Sequence, residues 1–184
     1  MNTNSPVKDI LYQEITNISE DVIQLEISKN NSSKIISQII SKCTTKIQKI
    51  SISIDEDLGI FAEGLMHYLL TVSLIPSQRK ISKNNVEIDI VIPDILTLNS
   101  NPKDSLIILF PKSKNENMIK KRISELERIQ PIKENIWVVL HHNLQLKNQT
   151  YLIQNDDNSL KKILDDINKF YSSRKQSKLK IMKS

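Results

Sequence analysis

Glycine is nearly absent: the 184 residues include two, Gly59 and Gly64. Without a glycine-rich loop there is no backbone cradle for a nucleotide's phosphates, which excludes Walker-type and Rossmann-type sites. Positive-φ turns must be built from other residues. Cysteine occurs once, at Cys43, so no disulfide can form within the chain and a cysteine-based zinc cluster is excluded. A reducing, cytoplasmic setting is the expectation. Aromatic residues make up 4%, too few for a platform on which single-stranded bases stack. No run approaches the roughly 18 apolar residues of a membrane span, and Met1–Lys8 lacks an apolar segment of signal-peptide length. A soluble protein with no membrane partner is expected.

Isoleucine, leucine and lysine supply much of the chain instead. Lys and Arg number 26 against 21 Asp and Glu, a net charge of +5, which is a modest bias toward polyanionic partners. The length suits one domain with a sizeable core. In the first third, Val7, Ile10, Leu11, Ile15, Ile18, Val22 and Leu25 recur with helical rhythm, broken near Asn17–Ser19, where Ser19 suits a second N-cap. Ser33 can cap the next helix, whose stripe is Ile36, Ile39, Ile40, Cys43 and Ile47. Ile50, Ile52 and Ile54 alternate with Ser51 and Ser53, the pattern of a short half-buried strand. Residues 1–54 thus read as a helical extension with a short strand. They carry no recognisable chemistry and offer a surface for a second copy or a protein partner.

Asp55 and Asp57 mark the start of another helix, with a core stripe of Leu58, Ala62, Leu65, Leu69 and Val72. Glu63 lies off that stripe, His67 follows it one turn on, and Pro76 closes the element. A strand over Ser77–Ile81 and a turn at Asn84–Asn85 lead to Val86–Ile92, a β-branched run that stops at Pro93. Period-2 alternation puts Glu87, Asp89 and Val91 on one face and Ile88, Ile90 and Ile92 on the other. A carboxylate at a buried strand position needs a partner or a metal to offset its desolvation, whereas on an edge strand it simply faces water. The pattern alone leaves both readings open.

Asp94–Lys103 reads as a loop, and Leu106–Phe110 as a central strand covered on both faces, ending in Pro111-Lys112-Ser113. Asn115–Arg128 is an amphipathic helix through Met118, Ile119, Ile123 and Leu126. A second buried strand, Ile136–Leu140 with Trp137 in the core, runs into His141–His142, a pair that suits structural or weak substrate contact. Tyr151–Ile153 is a short strand and Asn158–Tyr171 a helix. Several strands precede the crossover helix, so the expected class is α/β with a mixed β-sheet flanked by helices rather than a doubly wound sheet. Residues 55–171 form that core, and 172–184 a basic tail expected to be disordered. Its Lys175, Lys178 and Lys180 are candidate phosphate contacts without sequence preference, weakening steeply with salt.

An acid on a leading helix, an Asp on a hydrophobic strand and a following strand that ends in Lys resemble the PD-(D/E)XK nuclease superfamily of restriction endonucleases, archaeal Holliday-junction resolvases and Mrr-like enzymes. The residues that carry the resemblance are Glu63, the segment Glu87-Ile88-Asp89-Ile90-Val91, and Ile107-Ile108-Leu109 leading into Phe110-Pro111-Lys112-Ser113. It implies a restriction-endonuclease-like core that hydrolyses DNA with Mg²⁺, often as a homodimer. Asp89 would be the central metal ligand, Glu63 a direct or indirect ligand, and Lys112 the catalytic lysine that positions water or stabilises developing charge. One departure matters. The motif's acid, two residues before the lysine, falls at position 110, and this chain has Phe110 there. Either the site is degenerate and the domain a non-catalytic binding module, or a carboxylate from Glu87, Asp94, Glu116 or Glu125 replaces the missing acid. Pro111 adds a second irregularity, because it removes a strand donor.

Overall fold

The computed structural model describes residues 6–154 and 159–181, with 173–181 as backbone alone. Helices α1 (Pro6–Ile18) and α2 (Glu20–Ser28) break at Ser19, whose φ of 80° turns the chain. Its hydroxyl makes no capping bond. Helix α3 (Ser32–Ile50) follows Asn31, so Ser33 is not its cap; the Ser33 hydroxyl instead donates to the Lys161 carbonyl at 3.1 Å. The strand expected over Ile50–Ile54 does not form. Helix α3 runs through Ile50, α4 (Ile54–Val72) starts four residues later, and Ile50 and Ile52 face solvent. Alternation over so few residues cannot outweigh two long helices that each bury their own stripe, and no neighbouring strand is there to complete a ladder.

Five strands lie side by side in chain order: β1 (Gln78–Lys83), β2 (Val86–Ile92), β3 (Leu106–Leu109), β4 (Ile136–Leu140) and β5 (Thr150–Leu152). The first two pairings are antiparallel and the last two parallel, the mixed α/β sheet that the element order implies. Asn84 and Asn85 turn the β1–β2 hairpin with φ of 51° and 60°, asparagine doing here what glycine commonly does. Between β2 and β3 the expected loop is partly helical. The Asp94 carboxylate accepts the Thr97 N–H at 2.7 Å and starts the short α5 (Ile95–Ser100), and a 3-10 turn follows over Pro102–Asp104. Helix α6 (Glu116–Glu127), capped by Asn115, crosses from β3 to β4. Helix α7 (Ile163–Ile181) continues past Ser172, so the described part of the segment expected to be a disordered tail has helical backbone.

The sheet separates two cores. On one face α1, α3, α4 and the start of α7 pack over Ile90, Ile92, Ile108, Phe110, Trp137 and Val139. On the other, α5 and α6 cover Val86, Ile88, Val91, Ile107, Leu109, Ile136 and Val138. The N-terminal helices therefore contribute Val7, Leu11, Ile15, Ile36, Ile39 and Ile47 to the same core as the sheet.

Strand β2 departs from strict alternation. Ile88 packs with Val86 and Val91 on the α6 side, but Ile90 and Ile92 pack on the α4 side. The break falls at Asp89. The neighbouring positions pair across the hairpin, Arg79 with Ile90 and Ile81 with Ile88, which leaves Lys80 opposite Asp89. Lys80 has a φ of 52°, a left-handed conformation that costs a side-chain-bearing residue roughly 1–2 kcal/mol.

Candidate functional site

Three residues of α4 spaced four apart, Asp55, Gly59 and Glu63, lie across the ends of the sheet strands. Glu63 sits off the apolar stripe as its spacing implies, yet it is buried, with 1% of its surface exposed. A buried carboxylate has to be compensated, and cations do so here. Arg79 Nε donates to Glu63 Oε1 at 2.8 Å, Lys112 Nζ lies 3.4 Å from Oε2, and Lys80 Nζ stands 3.9 Å from Oε1.

Gly59, one turn earlier, explains how Lys112 gets there. A Cβ at Gly59 would sit 2.7 Å from the Pro111 carbonyl oxygen and 3.2 Å from Lys112 Cγ. Helix and strand end approach so closely that only a hydrogen fits between them. The stem of Lys112 then runs along α4 toward Glu63.

Asp89 is partly buried, and its Oδ2 accepts the Phe110 backbone N–H at 2.8 Å. Burial pushes its carboxyl above the ordinary range and the nearby Glu63 charge adds to this, while the Phe110 N–H and the charges of Arg122 and Lys112 act the other way. Arg122 Nη2 lies 3.9 Å from Asp89 Oδ1 and donates to the Glu87 carbonyl at 2.8 Å. The geometry thus gathers Glu63, Asp89 and Lys112 around one cleft of about 310 Å³, which Lys80, Ser82 and Glu87 also line. A second opening of about 230 Å³, with Met118 and Arg122 on its wall, adjoins it across Asp89.

Phe110 turns its ring into the core beside Ile108, 2% exposed. The position two before Lys112 therefore offers no oxygen. Of the carboxylates considered as substitutes, Asp94 caps α5, Glu116 pairs with Lys120, and Glu87 is exposed on β2. Glu125 reaches Arg122 at 3.4 Å, so this guanidinium stands between Glu125 and Asp89. Among the described residues, no group of three or more His, Cys, Asp or Glu side chains is arranged to hold a metal.

The histidine pair at the end of β4 has a partner that spacing did not reveal. His141 Nε2 lies 2.8 Å from Asp55 Oδ1, and the rings of His141 and His142 meet edge to face with centroids 4.7 Å apart. Asp55 and His141 are far apart in the chain, so only the fold brings them together. His67, one turn beyond Glu63, has its imidazole pKa lowered by burial and the Arg79 charge. The side chains of Lys175, Lys178 and Lys180 fall outside the described residues.

No protein-family model matches the chain, and no curated protein matches it. Among solved structures, the complex of restriction endonuclease PspGI with its substrate DNA is similar, with a TM-score of 0.58 over 92% of this chain and 94% of that one, at 12% identity. The fold is restriction-endonuclease-like. The likeness extends over the N-terminal helices as well as the sheet, since it leaves little of the chain uncovered. No described helix is long and apolar enough to cross a membrane.

Nuclease chemistry on a restriction-endonuclease-like fold implies Mg²⁺, a hard cation that takes oxygen ligands in near-octahedral order. The donors present do not fit it well. Both Glu63 oxygens face cations, Asp89 Oδ2 is taken by an N–H, and position 110 contributes a buried ring.

Proposed function

We propose that this chain is a nuclease-like domain that binds the backbone of DNA in the cleft beside Asp89 without cleaving it. One observation carries the reading: the Phe110 ring fills core space where the nuclease motif requires an acid, and Arg79 and Lys112 neutralise the remaining Glu63. What is left at the cleft and the opening beside it is Lys80, Lys112 and Arg122 next to the carboxylates of Glu87 and Asp89, on a fold seen elsewhere around DNA. Lys112 and Lys80 keep 42% and 59% of their side-chain surface exposed. Each can exchange the Glu63 carboxylate for a phosphate by a movement of its side chain alone. Arg122, planar and always charged, suits the bidentate recognition of a phosphate beside Asp89. Such contacts are sequence-independent and fix register on the duplex rather than reading bases. Lys175, Lys178 and Lys180 extend the same role into the C-terminal segment.

The test is a duplex titration at several salt concentrations, run beside a cleavage assay with Mg²⁺ or Mn²⁺. Binding without cleavage is the expected result. Replacing Lys112 with Ala is expected to lower the slope of log K against log salt by about 0.9, the signature of one lost phosphate contact. Metal-dependent cleavage that disappears in Asp89→Ala would overturn the non-cleaving part and make the domain a working nuclease. A folded protein with no affinity for DNA at low salt would remove the DNA assignment and leave a protein-interaction module.

A further inference from the structure

The α4 stripe that holds the cleft does not end at Glu63. Two turns toward its N-terminus is Asp55, roughly 12 Å away at 1.5 Å per helical residue, and it holds His141 at 2.8 Å. The parallel register pairs Leu109 of β3 with Val138 of β4. Lys112 and His141 both follow that pair by three residues, just past the ends of β3 and β4. Both side chains meet α4, one at Glu63 and the other at Asp55. The same helix therefore presents a carboxylate to a basic side chain at the ends of two neighbouring strands, with Gly59 closing the space between them against Pro111. Charges on one strand of duplex DNA recur about every 3.4 Å along its axis, so a backbone crossing this edge can be held at more than one place.

We propose that His141, oriented by Asp55, is a further phosphate contact beside the cleft, engaged in its protonated form. This rests on the DNA-binding reading and goes further by naming a residue and a pH dependence. The hydrogen bond fixes the tautomer: Nε2 carries the proton donated to Asp55, which leaves Nδ1 bare in the neutral ring. The groups facing the ring are Asp55 from α4, His142 beside it at the end of β4, and Lys114 from the segment before α6. Burial holds the His141 imidazole below its ordinary pKa, the Asp55 carboxylate opposes this, and His142 and Lys114 add to it. The free ring is accordingly neutral near pH 7. A phosphate arriving at Nδ1 supplies the negative charge that favours a second proton, so binding takes up a proton and strengthens as pH falls.

The experiment measures duplex affinity against salt at about pH 8 and about pH 5.5, either side of the ordinary histidine pKa. The intact chain is expected to show a salt slope steeper by about 0.9 at the lower pH, one additional phosphate contact. In His141→Gln the slope is expected to be the same at both pH values. His141→Lys, with a fixed charge, is expected to keep the steeper slope at both, which separates loss of the contact from loss of the fold. A His141→Gln protein whose slope still steepens on acidification would overturn this inference and leave the DNA-binding reading intact. Absence of duplex binding by the intact chain at both pH values would overturn the two together.

Discussion

Burial holds the Asp89 carboxyl above its ordinary range, against the opposing effects of the Phe110 N–H and the charges of Arg122 and Lys112. The direction fixes how stability depends on pH. Between the unfolded carboxylate value, about 3.9, and the raised folded value, the folded state binds more protons than the unfolded one. Stability is therefore lost as pH rises through that window and stays at the lower level above it. Asparagine removes the charge and keeps an acceptor for the Phe110 N–H. Asp89→Asn is expected to match or exceed the parent Tm at neutral pH, with the difference shrinking toward zero below about pH 4. Thermal unfolding across pH checks this, and a lower Tm at neutral pH would mean that Arg122 and Lys112 outweigh the desolvation. At this scale the sequence was informative in part: an acid inside a β-branched run marks a position to look at, while the pattern left a compensated buried acid and an exposed edge acid equally open. It was silent on the compensation itself. Arg79, Lys80 and Arg122 do not stand out in a lysine-rich chain until the sheet brings them to Glu63 and Asp89.

The two glycines give a controlled comparison within one element, since both lie in α4 and neither has a positive φ. Alanine in place of glycine favours a helix by roughly 1 kcal/mol. At Gly64 the added Cβ would meet the tip of the flexible Leu11 side chain at 3.3 Å, which can yield, so Gly64→Ala is expected to be neutral or stabilising by up to about 1 kcal/mol. At Gly59 it would meet the Pro111 carbonyl oxygen at 2.7 Å, where backbone has to move. Overpacking of that kind costs about 1–3 kcal/mol and exceeds the helical gain. Gly59→Ala is expected to lower Tm and, by displacing Lys112, to reduce the salt slope of DNA binding to that of Lys112→Ala. Denaturation of both variants distinguishes close approach from propensity, because propensity alone predicts the same sign for both. Elements with a long periodic stripe, such as α4, or a continuous apolar run, such as β4, were legible in the sequence. The supposed strand at Ile50–Ile54 was not, because alternation this short fits a strand as well as the short junction of two helices. The Asp55–His141 pair was hidden for another reason, since it depends on strand register and helix placement that no local pattern encodes.

On the scale of the whole molecule, the question is whether the N-terminal helices are an attachment or part of the domain. Their apolar stripes and the α4 face of the sheet form one buried cluster, from Val7 and Ile39 to Ile108 and Trp137. Trp137 is a natural reporter for the far end of that cluster, packed against Tyr151 and Phe170 at centroid distances of 5.5 and 6.3 Å. Ile39 on α3 is fully buried, and its truncation to alanine costs about 2–5 kcal/mol through lost transfer energy and the cavity left behind. If α3 and the sheet unfold as one cooperative unit, Ile39→Ala is expected to lower the transition seen by Trp137 fluorescence by several degrees. Far-UV circular dichroism, which sees all the helices, should report the same midpoint. A Trp137 transition left in place while the helical signal melts early would make residues 1–54 a separately folding extension. Coincident transitions would instead mean that the helices hold α4, and with it Glu63 and Asp55, against the strand ends. Destabilising substitutions far from the cleft, such as Ile39→Ala, would then weaken DNA binding only as far as they unfold the chain.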